Sequence, residues 1–208
     1  MAEPLNPVEL RVLGTLIEKE NTTPEYYPMT LNALVAACNQ KSNRWPVTEY
    51  EESDVLTAIE GLKLRGFAAS ITGGGRVTKY AQRFTEKLNL GRRETAVICV
   101  LALRGPQTLG EIKGRSERTY DWSDLDETET VVRRMIDYSG GPLVQRLDPA
   151  PGMKEPRYAQ TLAGAVDIAS AAAPAHAPGP DRLAALEAEV SQLREEVNEL
   201  RRRLEAVL

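Results

Sequence analysis

The chain has 208 residues, a net charge of −4, 42% hydrophobic residues and 27% charged residues. That length suits two small domains, and that balance excludes a fibrous or wholly disordered chain. No apolar run approaches the roughly 20 residues that span a bilayer, and the opening MAEPLNPVEL has no leader pattern, so a cytoplasmic protein without membrane association is expected.

The first helix starts at Asn6, Pro7 and Glu9, which fit an N-cap, a proline at N1 and an acid reaching back to the cap. Val8, Val12, Leu13, Leu16 and Ile17 form its apolar stripe. Tyr26-Tyr27-Pro28 breaks the chain. Thr30 caps a second short helix carrying Leu31, Leu34, Val35 and Cys38 on one face. NQKSNRWPV is a polar loop, and a third helix over 51–65 turns Val55, Leu56, Ile59 and Leu62 inward until Gly66 ends it. Segments 67–71 and 77–80 read as strands around Gly73-Gly74-Gly75.

The same order returns. Residues 94–103 are helical with Val97, Ile98, Leu101 and Ala102 apolar, and Arg104-Gly105-Pro106 stops them. A short helix covers 109–116. Ser123 caps a third helix to about residue 137, with Leu125, Val132, Met135 and Ile136 inward. Strands at 143–147 and 157–159 flank a Pro/Gly turn. Both hairpins close on one tripeptide, Tyr80-Ala81-Gln82 and Tyr158-Ala159-Gln160, which supports an internal duplication. The expected fold is mainly α with small β wings: winged helix-turn-helix domains at 1–88 and 89–162.

Residues 163–180 are rich in Ala and Pro and read as a flexible linker. From 181 to 208 apolar residues fall in heptads. Leu183, Val190, Val197 and Leu204 take a positions; Leu186, Leu193, Leu200 and Val207 take d. Glu189 and Glu196 at g face Arg194 and Arg201 at e on a second copy. This pattern predicts a parallel homodimeric coiled coil.

Catalytic chemistry has little to work with. The single histidine, His176, lies in the linker, so a positioned imidazole base is lacking. Cys38 and Cys99 sit in apolar helical patterns and read as reduced core thiols. No enzyme, cofactor or metal site is expected.

Nucleic-acid contact is weighed against charge. Residues 1–90 carry net −1, residues 91–164 net 0 and residues 165–208 net −3. The third helices, which enter the major groove in helix-turn-helix proteins, begin with acids: Glu51, Glu52 and Asp54 in one, Asp124, Asp126 and Glu127 in the other. Acids suit a helix N-terminus but repel phosphate. The candidate phosphate contacts are therefore Lys41 and Arg44 beside Trp45, Arg76 and Lys79 on the first hairpin, and Lys113, Arg115 and Arg118 at a helix end. Each has a plain alternative: a helix–helix turn with Trp45 in the core, a simple hairpin, and cations at a helix C-terminus.

LNPVELRVLGTLIEKENTTPEYYPMTLNALVAACNQKSNRWPV resembles the start of the YceH family of bacterial proteins, most specifically over TPEYYPMTLNALVAACNQKSNR. The resemblance covers about residues 5–162. It implies tandem winged-helix domains and a cytoplasmic place, and no reaction or ligand. Two readings follow. One is a DNA-binding or regulatory protein on double-stranded DNA, placed first on the fold. The other is a protein-interaction scaffold using acidic surfaces and the coiled coil.

Overall fold

A computed structural model describes residues 3–72, 77–149 and 153–164. Arg76, most of the linker with His176, and every coiled-coil position from Leu183 to Val207 lie outside the described residues.

Helix α1 spans Pro7–Thr22. Asn6 Oδ1 accepts from the amides of Val8 and Glu9, and Glu9 returns a carboxylate oxygen to the Asn6 amide at 2.9 Å. These bonds satisfy donors that a helix start leaves free. After a 3-10 turn at Pro24–Tyr26 come β1 (Met29–Thr30), α2 (Leu31–Cys38), α3 (Glu52–Leu64), β2 (Ala68–Ile71), β3 (Lys79–Gln82) and the single turn α4 (Phe84–Lys87). Then follow α5 (Arg92–Arg104), α6 (Leu109–Ser116), α7 (Leu125–Ile136), β4 (Val144–Leu147) and β5 (Arg157–Gln160). The described residues are thus α+β, with seven helices and two small antiparallel sheets, ordered β1-β3-β2 and β4-β5.

Helix α3 ends as its sequence requires. Gly66, at φ +68°, lets its own amide reach Lys63 O at 2.9 Å and the Phe67 amide reach Leu62 O at 2.8 Å.

The repeated tripeptide has a physical reason. Tyr80 and Tyr158 are buried in the core, and Ala81 and Ala159 are buried beside them. Gln82 Oε1 accepts from the Thr85 amide, and Gln160 Oε1 from the Ala163 amide, both at 3.0 Å. Each glutamine therefore caps the turn after its hairpin. The entry strand is echoed too: Met29 pairs with Tyr80, and Gln107 bridges Tyr158.

Several details differ from the sequence reading. Strand β1 and helix α4 are added, each too short to show a period. Asp124, not Ser123, caps α7: its Oδ1 accepts from the Glu127 amide at 2.8 Å. Leu56 and Leu125, expected inward, are 40% and 45% exposed. The inner stripes run Val55, Ala58, Ile59, Leu62 and Thr128, Val131, Val132, Met135 instead. Leu56, one place from Val55, is rotated about 100° away from its stripe, whereas Leu125 is the first residue of α7.

The broadest helix–helix contact is between α1 and α5, the first helices of the two halves. Every residue from Arg11 to Ile17 and from Thr95 to Leu103 is buried, and one hydrophobic cluster runs through both halves. Gly14 permits this approach: a Cβ there would lie 3.0 Å from Ala102 Cβ and from Leu103 Cδ2. Any larger side chain would push the helices apart.

Candidate interaction surfaces

The loop from α2 to α3 places its two cations differently. Lys41 is exposed. Arg44 is not: its side chain is fully enclosed. Its Nη1 and Nη2 grip Glu18 at 3.0 and 2.5 Å, and its Nε donates to Ala37 O at 3.2 Å. Arg44 therefore drops out of the phosphate-contacting set, because its donors are committed to an internal carboxylate and to the end of α2. Burial alone would raise the Glu18 carboxyl, but the Arg44 hydrogen bond and charge, with Lys19, hold it below its usual value. Arg11 works beside it, donating to Cys38 O at 3.0 Å and Pro46 O at 2.6 Å. Trp45, the proposed core residue of this loop, is 40% exposed. Its amide donates to Leu103 O at 2.8 Å, tying the loop to the end of α5.

Leu103 also lines a cleft of about 490 Å³ between α1, the α2–α3 loop, α5 and α6. Arg115 and Arg118 line it from one half, and Ser42 and Asn43 from the other. Two segments singled out in the sequence thus meet, although Lys41 and Lys113 stand outside the lining. Lys19 and Arg104 also line the cleft, and neither was picked from the sequence. Their signal was present: each is a cation in the last turn of its helix. Arg104 Nη2 donates to Asn43 Oδ1. Burial, then the charges of Arg115 and Arg44, lower the Arg104 pKa. Arg115 pairs with Glu111 at 3.2 Å and donates to Gln107. Arg118 is exposed and makes no ion pair or side-chain hydrogen bond among the described residues.

The outward face of α3 is of another kind. Leu56, Glu60 and Leu64 form a row four residues apart, with Glu52 at its start, and Leu64 is 91% exposed. Among the described residues Glu60 reaches only Lys63, at 2.9 Å. On α7 the exposed residues are Leu125, Asp126, Thr130 and two late arginines, of which Arg133 pairs with Glu129 at 2.6 Å. Lys79 is exposed on β3, opposite Ile71. Burial raises both thiol pKa values, that of Cys99 to about 12, which takes nucleophilic thiolate away at neutral pH. Among the described residues no helix is long and apolar enough to cross a membrane.

Two helix–helix–helix–hairpin units sharing one core define the class of protein. The model of a family described as "Protein of unknown function, DUF480" matches residues 5–153. A UPF0502 protein of Solibacter usitatus is 51% identical over 205 residues, 97% of this chain and 98% of that one. UPF0502 proteins of Pelobacter propionicus and Vibrio atlanticus are 50% and 42% identical, with 95% and 98% of this chain covered and 94% and 98% of theirs. The chain belongs to the DUF480 family, together with these UPF0502 proteins.

Proposed function

We propose that this chain is a non-enzymatic, cytoplasmic tandem winged-helix protein of the YceH type that works as a protein-binding module. On this reading α3, the helix that would read bases in a DNA-binding relative of the fold, meets a protein instead. The observation that carries it is the row Leu56, Glu60 and Leu64 with Glu52 on the open face of α3. A groove-reading helix needs donors for base edges and cations for phosphates. Exposed leucines gain nothing there, whereas burial against a partner is worth about 1.5–3 kcal/mol for Leu64 and a fraction of that for Leu56. Carboxylates around them select a partner segment with apolar anchors and flanking Lys or Arg.

The DNA reading, first on fold alone, retains one supporting observation: Lys79 is exposed on the first hairpin, and its ammonium makes no hydrogen bond or ion pair among the described residues. The 181–208 heptads support a homodimer in either case. Sedimentation should find a concentration-dependent dimer that becomes a monomer when those residues are removed; a truncated dimer would move the interface elsewhere.

The test pairs two measurements on the full chain. A photo-crosslinking residue at position 64 should capture a stoichiometric protein partner, with capture abolished by Leu56→Glu and no such product from position 134. Anisotropy against a random duplex should find no salt-dependent binding. Binding with a steep salt slope that Lys79→Ala reduces would replace the protein reading with the DNA one.

A further inference from the structure

We infer that the cleft between α1, α5 and α6 binds a small ligand carrying a diphosphate, of nucleoside-diphosphate size. The inference stands apart from the α3 face and does not depend on what docks there. The volume, about 490 Å³, falls in the usual range for small-molecule sites. Three guanidiniums line it: Arg104, Arg115 and Arg118.

Direct capping of the last carbonyls does not occupy these guanidiniums. Cations at helix ends ordinarily serve the last carbonyls. Here backbone amides serve one such carbonyl at each of the three helix ends. The Thr23 amide donates to Lys19 O at 3.0 Å. The Gly105 amide covers Leu101 O, and the amides of Thr119 and Tyr120 cover Ser116 O. The guanidiniums go instead to side-chain oxygens: Arg104 to Asn43 in the cleft wall, and Arg115 to Gln107 and Glu111 outside the lining, which leaves Arg104 and Arg118 as the guanidiniums facing the cleft. Arg118 goes to nothing among the described residues.

The charge balance favours an anion. Of the lining carboxylates, Glu18 is neutralised by Arg44 beneath it, which leaves Glu117. Against Glu117 stand Arg104, Arg118 and the remaining charge of Lys19. Burial is the main cause that disfavours the charged form of Arg104, followed by Arg115; Glu18 favours it and Arg44 opposes it. A diphosphate between Arg104 and Arg118 would balance the positive excess with forked hydrogen bonds. Asn43, whose Oδ1 is taken by Arg104, still has its amide N–H groups to donate. Val100 and Leu103 supply apolar lining for a base. Residues from both halves contribute, so a bound ligand would bridge them.

Calorimetry on the full chain at low ionic strength would use ADP, GDP and inorganic pyrophosphate as probes. The expected result is one site per chain that weakens with salt, with at least one nucleotide bound more tightly than pyrophosphate. Arg118→Glu, on an exposed side chain, should weaken binding about tenfold to a hundredfold, as for loss of one charge-assisted hydrogen bond. Arg133→Glu on α7 should leave it unchanged, and thermal melts should find both variants folded. Absence of binding by every probe at about 1 mM, a Kd range too weak for a built site, would overturn the inference. Equal weakening by the two variants would overturn it as well, by revealing diffuse surface charge.

Discussion

The two halves hold the same connection with different chemistry. Between α2 and α3 the loop is fastened by buried cations: Arg11 on the carbonyls of Cys38 and Pro46, and Arg44 on Glu18 and Ala37. Between α6 and α7 the fastening is aromatic. Tyr120 and Trp122 meet edge to face at 4.8 Å, and Trp122 Nε1 donates to Ser116 Oγ at 2.8 Å. Charge appears there only at the rim, where Arg93 reaches the Tyr120 hydroxyl and Glu127, each at 2.8 Å. A buried ion pair is an all-or-none device, because removing one member strands the other in low dielectric. A buried aromatic with one hydrogen bond loses stability in smaller steps. The architecture therefore sets where a brace is needed and leaves its chemistry open.

The largest expected effect is Arg44→Ala, which leaves Glu18 with Lys19 alone and frees Ala37 O, and should cost about 3 kcal/mol in urea unfolding. Arg44→Lys should recover little of it, because an ammonium cannot span both Glu18 oxygens and Ala37 O together. Trp122→Phe in the second half keeps the ring contact with Tyr120 and loses one buried bond, so about 1–2 kcal/mol is expected. If Trp122→Phe cost as much as Arg44→Ala, the contrast between the two braces would collapse.

Acid sharpens the same contrast. Glu18 is held below its usual value, so its contribution is complete above the ordinary carboxylate range and drains away as pH falls through the lowered value. Unfolding free energies measured from about pH 6 to about pH 3 should fall more steeply for the native chain than for Glu18→Gln. Parallel curves would mean that the first half's brace does not depend on charge.

Gln82→Ala and Gln160→Ala probe what the halves share. Each removes an equivalent cap, for about 1 kcal/mol. Gln82 should cost slightly more, because its amide nitrogen also donates to Thr85 Oγ1 at 2.8 Å. Smallest of all is Leu64→Ser, expected within about 0.5 kcal/mol of native stability in the same assay. A larger loss would place Leu64 in the fold itself and remove the support it lends to a docking face.

Features that depend on neighbours in the chain were legible in the residues alone. The Asn6–Glu9 capping box, the Thr30 cap, the Gly66 ending of α3 and the apolar stripe of α1 each involve groups a few positions apart, so their physics is written in local order. The repeated Tyr-Ala-Gln was legible as a pattern, but its reason, a glutamine capping the following turn, needed the hairpin to be built. Tertiary structure alone decided the rest. Arg44 looked like a free loop cation because its partner Glu18 lies 26 residues earlier. Leu56 looked inward because periodicity fixes a stripe only to within about one residue. Helix α1 showed one apolar face, yet Arg11 through Ile17 are all buried, because α5 covers the side that α3 does not. The cleft joins Asn43 to Arg104 and Arg118 across separations that no periodicity encodes; only the close approach at Gly14 brings those helix ends together.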